Sequence, residues 1–143
     1  MKAAFLTTIL AALFLTGGAN AAGAGPARLL ILGDSLVAGY GLAREDGFVA
    51  VLERALRAAG ADVTALDGGV SGDTTAGGRA RLAWALADKP THAVVALGAN
   101  DALRGLPPAA AKANLAAILT DLDKARAPAL LIGMRAPRNW GDE

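Results

Sequence analysis

The chain contains no cysteine, so disulfides, thiolate catalysis and cysteine-ligated zinc are excluded. It contains one histidine, His92, so a metal site would have to be built from carboxylates, and no carboxylate cluster stands out in the sequence. Neither sign of charge is in excess: 14 Lys and Arg stand against 13 Asp and Glu over 143 residues. With no basic stripe, there is no electrostatic case for nucleic-acid binding. Two phosphate-binding signatures are also missing. No G-x-G-x-x-G follows the first apolar run, and no G-K-[ST] closes a Walker A loop.

What remains is globular in composition. Hydrophobic residues make up 54% of the chain and charged residues 19%, although Ala, which buries little area, supplies much of the former. The length suits one domain. The N-terminus is set apart. Lys2 precedes an apolar run from Ala3 to Leu15, Thr16-Gly17-Gly18 breaks the run, and Ala19-Asn20-Ala21 offers small residues around a cleavage point. This is the pattern of a secretory signal peptide over residues 1–21, cut after Ala21, with periplasmic or secreted localisation. The run is short for a bilayer span, so no stable membrane anchor is expected after cleavage. Losing Lys2 brings the charge to balance.

After a Gly/Ala/Pro linker at residues 22–27, the pattern alternates. Leu29-Leu30-Ile31-Leu32 is an unbroken apolar run ending at Gly33, as in a strand buried on both faces. Phe48, Leu52, Ala55, Leu56 and Ala59 fall at helical spacing, and Gly60 supplies a stop. Val63 to Leu66 is a second, weaker strand, and Thr75 to Ala87 a second helix with Leu82 and Leu86 on one face. His92 to Leu97 is a third strand. Pro107 and Pro108 open a third helix striped by Leu115, Ile118, Leu119 and Leu122; Pro128 ends it, and Ala129 to Ile132 form a fourth strand. Strands alternating with helices imply right-handed crossovers and an α/β fold with a doubly wound, flavodoxin-like parallel sheet in the order 2-1-3-4. No helix follows strand four, so the domain at residues 28–143 is expected to lack its last strand and helix. Its uncovered edge is expected to promote self-association.

Ligands of open parallel sheets bind beyond the carboxyl ends of the strands. There the sequence places Gly33-Asp34-Ser35-Leu36, then Gly68-Gly69-Val70-Ser71-Gly72-Asp73-Thr74, then Gly98-Ala99-Asn100-Asp101. Three small, polar loops converging on one rim suit acyl transfer, which needs an exposed hydroxyl and donors aimed at a developing oxyanion. Ser35 is the candidate nucleophile. Gly72, with no side chain, can bring its N–H close to a tetrahedral intermediate. Asn100 offers an amide donor, and Gly98 would leave room beside it. Each such donor is worth about 3–4 kcal/mol in a transition state. Asp34 is expected to bind loop N–H groups. Taken singly, Ser35 could cap a helix, Gly72 could merely serve a turn, and Asn100 and Asp101 could cap the next segment.

Together these stretches resemble the first three blocks of the GDSL/SGNH hydrolase family. Within it they resemble the branch of periplasmic multifunctional esterases, with thioesterase, protease and lysophospholipase activities, and the related arylesterases. Ala38-Gly39-Tyr40-Gly41-Leu42, Leu103-Arg104-Gly105 and Gly133-Met134-Arg135-Ala136-Pro137 add to the match. The resemblance implies a carboxylic ester hydrolase working through an acyl-serine, without cofactor or metal. Ser35 would be the nucleophile, and the Ser35 N–H, Gly72 N–H and Asn100 amide the oxyanion hole. The family's last block, D-x-x-H, has no match here, so its base and orienting carboxylate are absent from residues 1–143. His92 is not a substitute. It begins strand three, about 20 Å of strand away from the rim, whereas a base must come within about 3 Å of the hydroxyl. A non-catalytic module binding a carbohydrate or small anion on the same loops is the competing reading.

Overall fold

The computed structural model describes residues 25–134. The chain runs through β1 (Ala27–Gly33), a 3-10 turn (Arg44–Asp46), α1 (Phe48–Ala58), β2 (Val63–Gly69), α2 (Thr75–Leu86), β3 (His92–Ala96), α3 (Ala99–Leu103), α4 (Pro108–Lys124) and β4 (Ala129–Leu131). The four strands form one sheet in the order β2-β1-β3-β4, and every pairing is parallel. This is the order expected from the alternating pattern. The expected signal peptide and the stretch after Met134 lie outside the described residues.

β1 is the centre of the molecule because both its faces are apolar. Leu29 and Ile31 point to one side, where Leu56 of α1 seals them together with Val63 and Val94. Leu30 and Leu32 point to the other, into a cluster with Leu82 of α2 and with Ile118 and Leu122 of α4. Helices therefore cover both faces. The α4 stripe is as read from the sequence: Ile118 and Leu122 are fully buried, and Leu115 and Leu119 pack at its margin. Pro107 and Pro108 start that helix without loss, since first-turn N–H groups have no helical partner to lose. The α1 stripe is narrower than its spacing predicts. Leu56 is buried, but Ala55 and Ala59 are exposed.

Element boundaries differ from expectation in several places, most clearly after β2 and β3. β2 continues through Gly68 and Gly69, which the sequence reading assigned to a loop. Gly69 pairs with Gly33, and a Cβ there would strike the backbone of Ala38, so the glycine lets the turn after Ser35 lie against the strand. The supposed loop after β3 is a one-turn helix, α3, which contains Asn100 and Asp101. Strand four is a residue shorter, ending at Leu131. β4 pairs with β3 alone among the described residues. No described helix is long and apolar enough to cross a membrane.

Candidate active site

The strands β1, β2 and β3 end at one rim, so the segments that follow them are neighbours. Ser35 begins a run of turns directly after Asp34, and Val37 and Ala38 donate their N–H groups back to the Asp34 carbonyl at 3.2 and 2.9 Å. Asp34 is buried, 1% exposed. Its carboxylate accepts from the Leu36 N–H at 3.0 Å and from the Asn100 amide at 3.3 Å. The anchoring of loop N–H groups expected of this residue is thus seen at Leu36, and a link to Asn100 is added.

Gly72 lies in the turn between β2 and α2, with φ +81. That left-handed backbone is what favours glycine there. Space is not the constraint, for a Cβ would come no nearer than 3.5 Å to the Arg104 guanidinium. The same holds at Gly98. A Cβ would meet nothing within 4 Å, and its φ of +122 turns the chain from β3 into α3.

Asn100 joins the three segments. Its Nδ2 donates to Asp34 Oδ2, beside Ser35, and to the Asp73 carbonyl, beside Gly72, at 2.9 Å. Asp101, 4% exposed, is held differently. One carboxylate oxygen accepts from the Thr75 N–H at 2.8 Å and the other from the Thr75 hydroxyl at 2.6 Å. It thereby places an acid at the N-terminus of α2, where the helix dipole favours negative charge. Asn114 of α4 donates to the same hydroxyl at 3.3 Å. Arg104 donates to the Gly72 carbonyl at 2.6 Å.

His92 lies at the opposite end of the sheet. It pairs with Leu29, four residues before Gly33 along β1. Its Nδ1 is 3.0 Å from the Thr91 hydroxyl, and partial burial pushes its pKa below the ordinary value. The structure therefore brings the segments of Ser35, Gly72 and Asn100 together and keeps His92 apart. Sequence reasoning missed Thr75, Asn114 and Arg81 of this rim. Thr75 and Asn114 are 39 residues apart and meet only through packing of α2 on α4.

With this geometry in view, the comparisons with known proteins are decisive. Residues 31–143 match the model of the GDSL-like lipase/acylhydrolase family. The chain belongs to that family. It is 41% identical over 142 residues to Esterase TesA of Pseudomonas aeruginosa, covering 99% of this chain and 68% of the relative. To the thioesterase 1/protease 1/lysophospholipase L1 of Escherichia coli K12 it is 40% identical, covering 79% of this chain and 53% of that one. The crystal structure of AlinE4, an SGNH-hydrolase family esterase, superposes with a TM-score of 0.79 at 49% identity, over 82% of this chain and 64% of that one. The chain thus spans between half and about two thirds of the length of these relatives. The relatives it resembles are named as esterase and as thioesterase and lysophospholipase.

Proposed function

We propose that this chain supplies the nucleophile and oxyanion hole of a carboxylic ester hydrolase acting through an acyl-serine. Ser35 Oγ bonds to the acyl carbon, and the N–H groups of Ser35 and Gly72 and the Asn100 amide receive the carbonyl oxygen as it becomes an anion. The C–O or C–S bond to the leaving group then breaks, the leaving group takes a proton, and water hydrolyses the acyl-serine. The observation that carries this reading is the pair of hydrogen bonds from Asn100 to Asp34 and to the Asp73 carbonyl. A single amide is held between the residue before Ser35 and the residue after Gly72. In the resting site both its hydrogens are in use. The longer bond, at 3.3 Å to Asp34, is the one an oxyanion would take over, because Asp34 keeps the Leu36 N–H.

The proton of Ser35 needs a base within hydrogen-bond reach. His92 cannot reach it, so the base belongs to chain outside the described residues, in keeping with the family's D-x-x-H block. A groove of about 880 Å³ beside Asn100, lined by Gly98, Ala99, Leu103, Leu106, Leu119 and Ile132, offers apolar surface to an acyl chain. The substrates proposed are short or medium acyl groups on aryl alcohols, thiols or lysophospholipids. Residues 1–21 direct export, so the mature protein begins at Ala22, which N-terminal sequencing of exported protein reads directly. Association through the edge of β4 that no described strand pairs is read by light scattering of purified residues 22–143.

The functional test is turnover of a p-nitrophenyl ester by residues 22–143, beside a version extended with the C-terminal segment of a relative. Ser35→Ala abolishes turnover in the extended chain and changes little in the short one. Equal, Ser35-dependent turnover by both would place a working base within residues 22–143 and overturn this account. A fluorophosphonate that fails to label Ser35 in the extended chain would favour the non-catalytic binding module.

A further inference from the structure

Arg81, on α2, belongs to none of the three blocks, yet its side chain reaches two of them. It is 20% exposed. Its Nε donates to Asp73 Oδ2 at 2.7 Å, and its Nη2 donates to the Gly33 carbonyl at 3.0 Å. Gly33 is the last residue of β1, directly before Asp34 and Ser35, and its carbonyl also accepts from the Val70 N–H at 3.0 Å. Asp73 follows Gly72. One guanidinium therefore bridges the peptide entering the nucleophile turn and the side chain leaving the Gly72 turn.

The seat of Asp73 is shaped for this. A Cβ on Gly77 would collide with the Asp73 carboxylate, and Gly77 lies one helical turn before Arg81 on the same face of α2. The missing side chain at 77 admits the carboxylate, and the cation at 81 holds it. Through its main-chain carbonyl, Asp73 also accepts from Asn100. The chain of bonds runs Gly33, Arg81, Asp73, Asn100, Asp34, and closes through the Gly33–Asp34 peptide, directly before Ser35.

Resting on the function proposed above, we infer that Arg81 and Asp73 are a positioning pair for the oxyanion hole. They touch no reacting atom and act by fixing the distance from Ser35 to Gly72 and Asn100. Guanidinium–carboxylate hydrogen bonds are among the stronger ones, and the planar fork addresses two acceptors at a set angle. Lysine, a point charge on a flexible stem, reaches one acceptor well. Misplacing a reacting group by about 1 Å costs on the order of a hundredfold in rate.

The test uses the protein at its natural length, with Arg81→Ala, Arg81→Lys, Asp73→Asn and the double variant Arg81→Ala/Asp73→Asn, beside Ser35→Ala and the exposed control Arg126→Ala. The expected result is a fall in kcat of about tenfold to a hundredfold for Arg81→Ala and Asp73→Asn, with KM held within about threefold. Arg81→Lys recovers part of the loss, and the double variant is no worse than the worse single one, as for residues acting as one unit. Arg126→Ala is unchanged. The proposal is overturned if folded Arg81→Ala and Asp73→Asn keep kcat within about twofold, if the two losses multiply, or if Arg81→Ala, Arg81→Lys and Asp73→Asn all lose the native circular dichroism spectrum, which would make the pair a folding element only. Ser35→Ala turnover at the unsubstituted level would instead sink the functional reading and leave the geometry of the pair untouched.

Discussion

The two ends of the sheet are built from similar residues and differ in what they bury. At the amino ends, Arg28 donates its N–H to the Thr91 hydroxyl and its Nε to the Asp88 carbonyl, and Thr91 contacts His92. Thr91 and Asp88 are exposed, and these bonds stitch one connection to the start of a strand. At the carboxyl ends, Asp34, Asp101 and Thr75 are almost wholly removed from water, and Asn100 links the segments. Burying polar groups is costly unless they are bonded, and no buried side-chain polar atom among the described residues lacks a partner. The difference teaches where the fold spends its polar residues: one rim is stitched, while the other holds donors in fixed positions beside a serine.

The largest effect expected from breaking that contrast is at Ser35. At natural length, Ser35→Ala should lower esterase turnover to the residual that binding and oxyanion stabilisation alone supply, about 10³–10⁴-fold over water, as steady-state assays on a p-nitrophenyl ester will read. Asn100→Ala comes next. Loss of one oxyanion donor should cost roughly 10²–10³-fold in kcat, with the fold retained by circular dichroism.

Asp101→Ala should act on stability. It leaves the N–H and hydroxyl of Thr75 without their carboxylate partner at a buried site. The cost is about 1–3 kcal/mol, measurable as a lower midpoint in urea. The smallest effect belongs to the other rim. His92→Gln should leave turnover within about twofold if His92 is not the base. Burial lowers the His92 pKa, so the unfolded chain takes up a proton first as the pH falls. His92 thus opposes folding increasingly as the pH drops below about 6.5. His92→Gln should flatten that part of a stability–pH curve slightly.

Much of this was legible in the residues. Leu29 to Leu32 announce a strand apolar on both faces, and the alternation of strands and helices carries the sheet order with it. The neighbouring segments that carry Asp34, Ser35, Gly72 and Asn100 were legible because each follows a strand of one parallel sheet. Other features left no local signal. Gly68 and Gly69 extend β2 against their own low strand preference, because Gly69 lies against the turn after Ser35 and Gly68 against Ile31 of β1. α3 is a single turn, too short to show a period. Gly98 is required by its backbone angle, which a sequence does not display. Arg81 reads as an ordinary helix cation, since its acceptors, Asp73 and the Gly33 carbonyl, meet it only when α2 lies across the end of β1.

The central claim is that Ser35, Gly72 and Asn100 form one acyl-transfer site. The most direct measurement is a crystal structure of the protein at natural length after reaction with an alkyl fluorophosphonate. The account predicts phosphorus bonded to Ser35 Oγ, with the phosphoryl oxygen about 2.7–3.1 Å from the Ser35 and Gly72 nitrogens and Asn100 Nδ2. Phosphorus on another residue, or a phosphoryl oxygen turned away from Gly72 and Asn100, would contradict it.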